Sequence, residues 1–151
     1  MNTFLPYPSF YKSAEVLDIK RLGKQRVEVL QILNTLSGRT SGWKHHPAVK
    51  MWKGYENTLI RYGLAICDKW VSLGYKDTCR RKIYMFNFKL PLQAGQPHWL
   101  GNEDFHLSHK SNLLRKDPEH YGKFWDVPNN LPYVWPSGNP LYRDFTYKEL
   151  K

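Results

Sequence analysis

Apolar side chains recur along this chain mostly at three- and four-residue spacing, the signature of helices with one buried stripe. From about Ser13 to Leu36 the stripe runs through Leu22, Val29, Leu33 and Leu36, and Ser37-Gly38 ends it. Gly23 interrupts this helix and marks a bend or a close approach of another element. A second stripe, Trp52, Tyr55, Leu59, Tyr62, Ile66, Trp70 and Leu73, lies between Pro47 and Gly74. Proline suits a first helical position and glycine a C-terminal cap, so one helix about 40 Å long is predicted. Residues 77–90 read as a short helix or a strand, and a Gly/Pro-containing loop (PLQAGQPHWLG) follows. NEDFHLSHKSNLLRK predicts a helix from about Glu103 to Lys116, stopped by Asp117-Pro118. The opening MNTFLPYPSF reads as an extended arm over residues 1–12, and residues 125–151 as an irregular aromatic and proline-rich tail. The expectation is a single all-α domain over 1–151, with three to four helices and long loops.

Charge adds a partner to this picture. Twenty-three Lys and Arg against thirteen Asp and Glu give a net charge of +10. Such an excess on a small domain points to a phosphate-bearing partner, although a solubility surplus gives the same count. Six Trp and ten Tyr interleave with the cations, which suits nucleic acid better than lipid because flat rings stack on bases. No run of 18 apolar residues occurs, so a membrane span is not expected. Cys67 and Cys79 are too few for a disulfide framework and lack zinc-site spacing; a reducing cytoplasm, beside the nucleoid, is the expected location.

Candidate chemistry centres on RLGKQRVE. Glu28 is the lone acid in a helical run with Arg21, Lys24, Gln25 and Arg26. Either it forms an ordinary surface pair with Lys24 one turn away, or it is a general acid/base beside a face that grips a polyanion. Further DNA contacts are expected from His109, Lys110, Ser111, Asn112, Arg115 and Lys116 in SHKSNLLRK. Lys44, His45 and His46 precede a helix N-terminus, where an anion is favoured, although His46 reads equally as a simple N-cap or a packed loop histidine. Arg80, Arg81 and Lys82 read as a solvated charge run. His106 and His109, with Asp104 nearby, have the spacing of a cation pair without a third ligand. Trp99, Trp125, Tyr133 and Trp135 are core residues or a wedge against an extruded base.

The segments LDIKRLGKQRVE, GYENTLIRYGLAICDKWVSLGYKDT and SHKSNLLRKDPEHYGKFW together resemble the pyrimidine-dimer DNA glycosylase/AP lyase family, the phage endonuclease V type. The resemblance spans about residues 13–125 and is nearest to bacterial and viral members sharing FLPYP, LGKQRVE, HHPAV and SHKSNLLRKDP. It implies an all-helical fold whose N-terminal arm threads toward a carboxylate on the first helix. It also implies an amine that attacks C1′ of the damaged nucleotide, a catalytic glutamate at Glu28, and no cofactor or metal. An α-amine, ordinarily of pKa about 7.7–8.0, is roughly a tenth neutral at pH 7, whereas a lysine amine is under a thousandth. With Asn2 in second place, the α-amine of Met1, that of Asn2, or the side chain of Lys24 is the candidate nucleophile. The implied partner is duplex DNA carrying a pyrimidine dimer or another modified base, bound by a monomer. A non-catalytic DNA- or RNA-binding module is the competing expectation, and a metal-dependent nuclease the third.

Overall fold

The computed structural model describes residues 1–86 and 96–139. Among them are seven helices and no strand: α1 (Phe10–Val16), α2 (Ile19–Leu36), α3 (Pro47–Lys50), α4 (Glu56–Ser72), α5 (Cys79–Tyr84), α6 (Glu103–Lys116) and α7 (Pro118–Tyr121). The all-α class expected from the periodicity is correct. The predicted segments 87–95 and 140–151 lie outside the described residues, while 125–139 contain no helix or strand.

Two predicted helices are each divided. The first breaks at Leu17–Asp18, where Leu17 is extended (ψ 136°) and Asp18 caps α2 by accepting from the Arg21 amide at 3.3 Å. Capping outweighs the continuous apolar stripe because an aspartate satisfies otherwise orphaned amides at a helix start. The break is held from outside, since the Asp18 amide donates to the Tyr121 hydroxyl at 3.1 Å. The second divides at Gly54, whose φ of +85° no side-chain-bearing residue adopts readily. α4 is thus about 25 Å long rather than 40 Å. Its two predicted ends hold: Pro47 opens α3, and Gly74 follows α4 with φ +93°. α6 has the bounds that its spacing predicts, and Pro118 opens α7 directly after it.

α2 packs along α4, and two glycines permit the distance. A Cβ on Gly23 would lie 2.9 Å from ring carbons of Trp70, and one on Gly63 would lie 2.7 Å from Val29 Cγ1. The expectation of a close approach at Gly23 is met, and no kink is required. Around this pair the core gathers Leu22, Val29, Ile32, Leu33, Leu59, Ile66 and Ile83, all essentially inaccessible.

The arm completes the core. Asn2 through Pro6 are buried, and the backbone there is served by side chains instead of a neighbouring strand. Phe4 donates to Gln25 Oε1 at 3.0 Å and accepts from the Tyr62 hydroxyl at 2.7 Å. Trp52 Nε1 donates to Thr3 Oγ1 at 3.0 Å. From the other side, Leu5 bonds α6 through both its amide and its carbonyl. The arm therefore runs between α2/α4 and α6, and this path delivers its first residues to the middle of α2.

Candidate functional site

Glu28 lies where the arm meets α2. Its carboxylate is buried (6% exposed) and accepts from the Asn2 amide at 3.2 Å and from Gln25 Nε2 at 2.9 Å. Lys24 Nζ stands 3.8 Å from the other oxygen, with its own side chain 73% exposed. The neighbouring arginines are diverted. Arg21 pairs with Asp18 at 3.2 Å; Arg26 pairs with Asp77 at 2.5 Å and covers the Trp70 ring at 4.3 Å. Of the cations in RLGKQR, Lys24 is the one that shares Glu28.

Gln25 requires a correction. The sequence places it on a DNA-gripping face, whereas it is 1% exposed. Its Nε2 donates to Asn2 O (2.8 Å) and to Glu28; its Oε1 accepts from Phe4 N and from the Tyr62 hydroxyl (2.7 Å). A carboxamide has two donors and two acceptor positions, so Gln25 has none to spare for phosphate. It is the clamp that sets the register of the arm against Glu28.

His46 adds a third polar group. Its Nδ1 accepts from the Ala48 amide at 3.0 Å, which caps α3 and fixes the neutral ring's proton on Nε2. Of the two readings of His46, the structure shows the N-cap and not the anion seat, because the imidazole itself takes the amide that an anion would use. Burial lowers the proton affinity of His46, the positive charge of the chain's N-terminal amine lowers it further, and the Glu28 carboxylate opposes both.

α6 departs most from expectation. His109 is 1% exposed, and its Nδ1 accepts from the Leu5 amide at 3.0 Å. His106 Nδ1 bonds the Leu5 carbonyl at 2.7 Å, and its Nε2 accepts from Gly101 N at 2.9 Å. The two imidazoles hold Leu5 by its amide and its carbonyl, which spends three of their four ring nitrogens; His109 Nε2 is buried without a hydrogen-bond partner among the described residues. Burial drives the proton affinity of His109 down to about 3, with the charge on Lys116 and the nearby His106 adding to it. Ser111 and Asn112 are likewise buried and hold the tail: Ser111 Oγ accepts from Leu131 N at 3.0 Å, and Asn112 Nδ2 donates to Leu131 O at 3.0 Å. Their expected DNA contacts, and that of His109, are corrected on grounds of burial.

The other cations remain at the surface. Lys44 and His45 are exposed. Lys110 Nζ sits 4.9 Å over the Tyr7 ring, and Lys116 Nζ 5.1 Å over Phe4. Arg115 is exposed but donates to Asn129 O at 2.8 Å and to Asn112. Of the four aromatics considered as wedges, Trp99 and Trp125 are buried, Tyr133 is half-buried and Trp135 is exposed. A hollow of about 380 Å³ bounded by Phe10, Tyr11, Arg61, Asp68 and Arg80 includes none of Glu28, Lys24 and His46. Thr3, Trp52 and Tyr62, which help to seat the arm, are not legible as such in the sequence. The available signal is that buried Trp and Tyr need partners for their polar tips.

The model of the family described as pyrimidine dimer DNA glycosylase matches residues 1–83. That match takes in the arm, α1 to α4 and most of α5, and with them Lys24, Glu28 and His46. No curated protein and no solved structure matches the chain. A match over more than half of the 151 residues, on a helical fold, places this chain in the pyrimidine dimer DNA glycosylase family.

Proposed function

We propose that this protein is a base-excision glycosylase with a linked AP lyase step, acting on a pyrimidine dimer or another damaged or modified pyrimidine. The observation that carries the reading is the delivery of the arm to Glu28, with the Asn2 nitrogen 3.2 Å and Lys24 Nζ 3.8 Å from its carboxylate. A neutral amine attacks C1′ as the N-glycosidic bond breaks, and the base departs with the bonding electrons and gains a proton. The nitrogen then gives up a proton and the C1′–O4′ bond opens, with O4′ taking a proton, to leave an imine that makes the 2′ proton acidic; removal of that proton expels the 3′ phosphate and cuts the strand. Glu28 is the group within reach to accept and return these protons, and its negative charge favours the cationic sugar.

Three amines are candidates for the nucleophile: the α-amine of Met1, that of Asn2 in a chain that begins there, and Lys24. The Asn2 nitrogen, already beside Glu28, is the best placed if it is free; as it stands it is an amide. Lys24, Lys44 and Lys116 supply exposed positive charge for the DNA backbone, half-buried Lys110 adds to it, and exposed His45 offers hydrogen bonds beside them. Phosphate contacts of this kind lower affinity steeply as salt rises.

Borohydride trapping tests the reading. With abasic or ultraviolet-irradiated duplex DNA, the wild-type protein is expected to give a covalent adduct. Peptide mapping then places it on Met1, Asn2 or Lys24. DNA binding without any adduct, on all of these substrates, would leave a non-catalytic binder. Cleavage abolished by chelator without an adduct would point instead to a metal-dependent nuclease.

A further inference from the structure

Large apolar rings are ordinarily covered, and contiguous exposed ones mark a binding surface. Trp43 is 50% exposed and Trp135 is 40% exposed, and both touch His46. Their centroids lie 5.8 and 6.1 Å from the imidazole, at interplanar angles of 71° and 87°. Trp135 continues to Tyr133 at 5.3 Å. These rings come from positions 43, 46 and 135, so the tail must fold back over the loop before α3 to assemble them. That return is secured by the backbone: Asn139 N donates to Lys53 O at 2.7 Å, and Val134 N to Ser108 Oγ at 3.1 Å.

Three features define what would sit there. Trp43 and Trp135 leave aromatic surface open to solvent. With His46 Nδ1 committed to Ala48, its Nε2–H is the donor at the centre of the cluster. Lys44, His45 and Lys50 are exposed on the same short segment, so the surroundings are cationic. A flat, polar-edged ligand attached to a polyanion meets all three conditions.

We infer that Trp43, His46 and Trp135 form a nucleobase-binding site that holds one unstacked base of a DNA strand. Stacking on the indoles supplies the affinity, the His46 Nε2–H bonds an acceptor on the edge of the base, and the lysines hold its phosphates. The choice of DNA as the partner rests on the proposed glycosylase reading; the capture of a base does not depend on catalysis.

The test compares two single strands of equal length, oligothymidylate and a tetrahydrofuran oligomer with the same phosphates and no bases. Base–aromatic stacking of this kind is worth about 5- to 100-fold per base. The wild-type protein is expected to bind oligothymidylate at least about 10-fold more tightly than the baseless strand, with quenching of tryptophan fluorescence. Trp43→Ala and Trp135→Ala should each bring that ratio to within about threefold of unity and leave affinity for the baseless strand unchanged, whereas Trp43→Phe should keep most of it. A wild-type ratio near one, or a ratio retained in either alanine variant of unchanged melting temperature, overturns the site. Failure of the wild-type protein to form a borohydride adduct would instead remove the catalytic reading, and would leave this ratio measurable.

Discussion

α2 and α6 carry similar residues and use them in opposite ways. RLGKQRVE and SHKSNLLRK both look like cationic faces with hydrogen-bonding groups between the charges. On α2, the arm stops beside the acid, and Lys24 remains in solvent 3.8 Å from it. On α6, the polar groups lie beneath the arm and the tail: two histidines hold Leu5, and Ser111 and Asn112 hold Leu131. The difference lies in what covers each helix, not in composition. A polar group becomes chemistry where one of its neighbours stays exchangeable, and a fastener where its bonds serve buried backbone.

The sharpest break in this comparison is Glu28→Gln. It keeps an acceptor for the Asn2 amide and removes proton transfer, so trapping and base excision should fall by about 10²- to 10⁴-fold. The dissociation constant for DNA, measured by fluorescence anisotropy, should move less than about threefold, because no phosphate contact is lost. A variant with near-normal turnover would assign Glu28 to the same fastening role as the α6 residues.

Gln25→Leu should act through the arm. It leaves the Phe4 amide without its acceptor, at about 1–3 kcal/mol for a buried orphan, while the Tyr62 hydroxyl keeps Phe4 O. Urea unfolding should register that loss of stability, and adduct formation should fall because the arm loses its register. A stable variant with unchanged adduct yield would show that the clamp is dispensable.

Acidity separates the fasteners further. His109 has its proton affinity lowered from 6.5 to about 3, so its contribution is complete above 6.5 and is lost as pH falls toward 3. Glu56, buried with one carboxylate oxygen unpaired, is raised from 4.5 to about 7 by burial, so its contribution is complete below 4.5 and is lost as pH rises through 7. Each proton is worth up to about 1.4 kcal/mol per pH unit, and the two slopes cancel between 4.5 and 6.5. Relative to wild type, His109→Leu should therefore expose a stability that falls with rising pH across this window. Glu56→Gln should expose one that rises. Chemical denaturation at several pH values measures both, and parallel profiles in all three proteins would contradict this account.

The smallest effects belong to two lysines of α6, half-buried Lys110 and exposed Lys116. Lys110→Gln and Lys116→Gln should each lower the slope of log affinity against log salt by about one, with little change in stability. Ser111→Ala, at a buried position, should do the reverse.

The sequence by itself determined the helical class, the bounds of α6, the caps at Pro47 and Gly74, and the adjacency of Lys24 to Glu28. These are local matters, set by a 3.6-residue period and by proline and glycine dihedral preferences. It also shows the resemblance that points to Glu28, through a motif contained within one helix. The breaks at Asp18 and Gly54 were less legible, since the apolar stripe runs on across both. Only the tertiary structure decided which polar groups are spent. Arg26 is drawn off by Asp77, 51 positions away, and His109 by Leu5, 104 positions away. Burial depends on what the rest of the chain lays over a helix, and no periodicity within that helix encodes it.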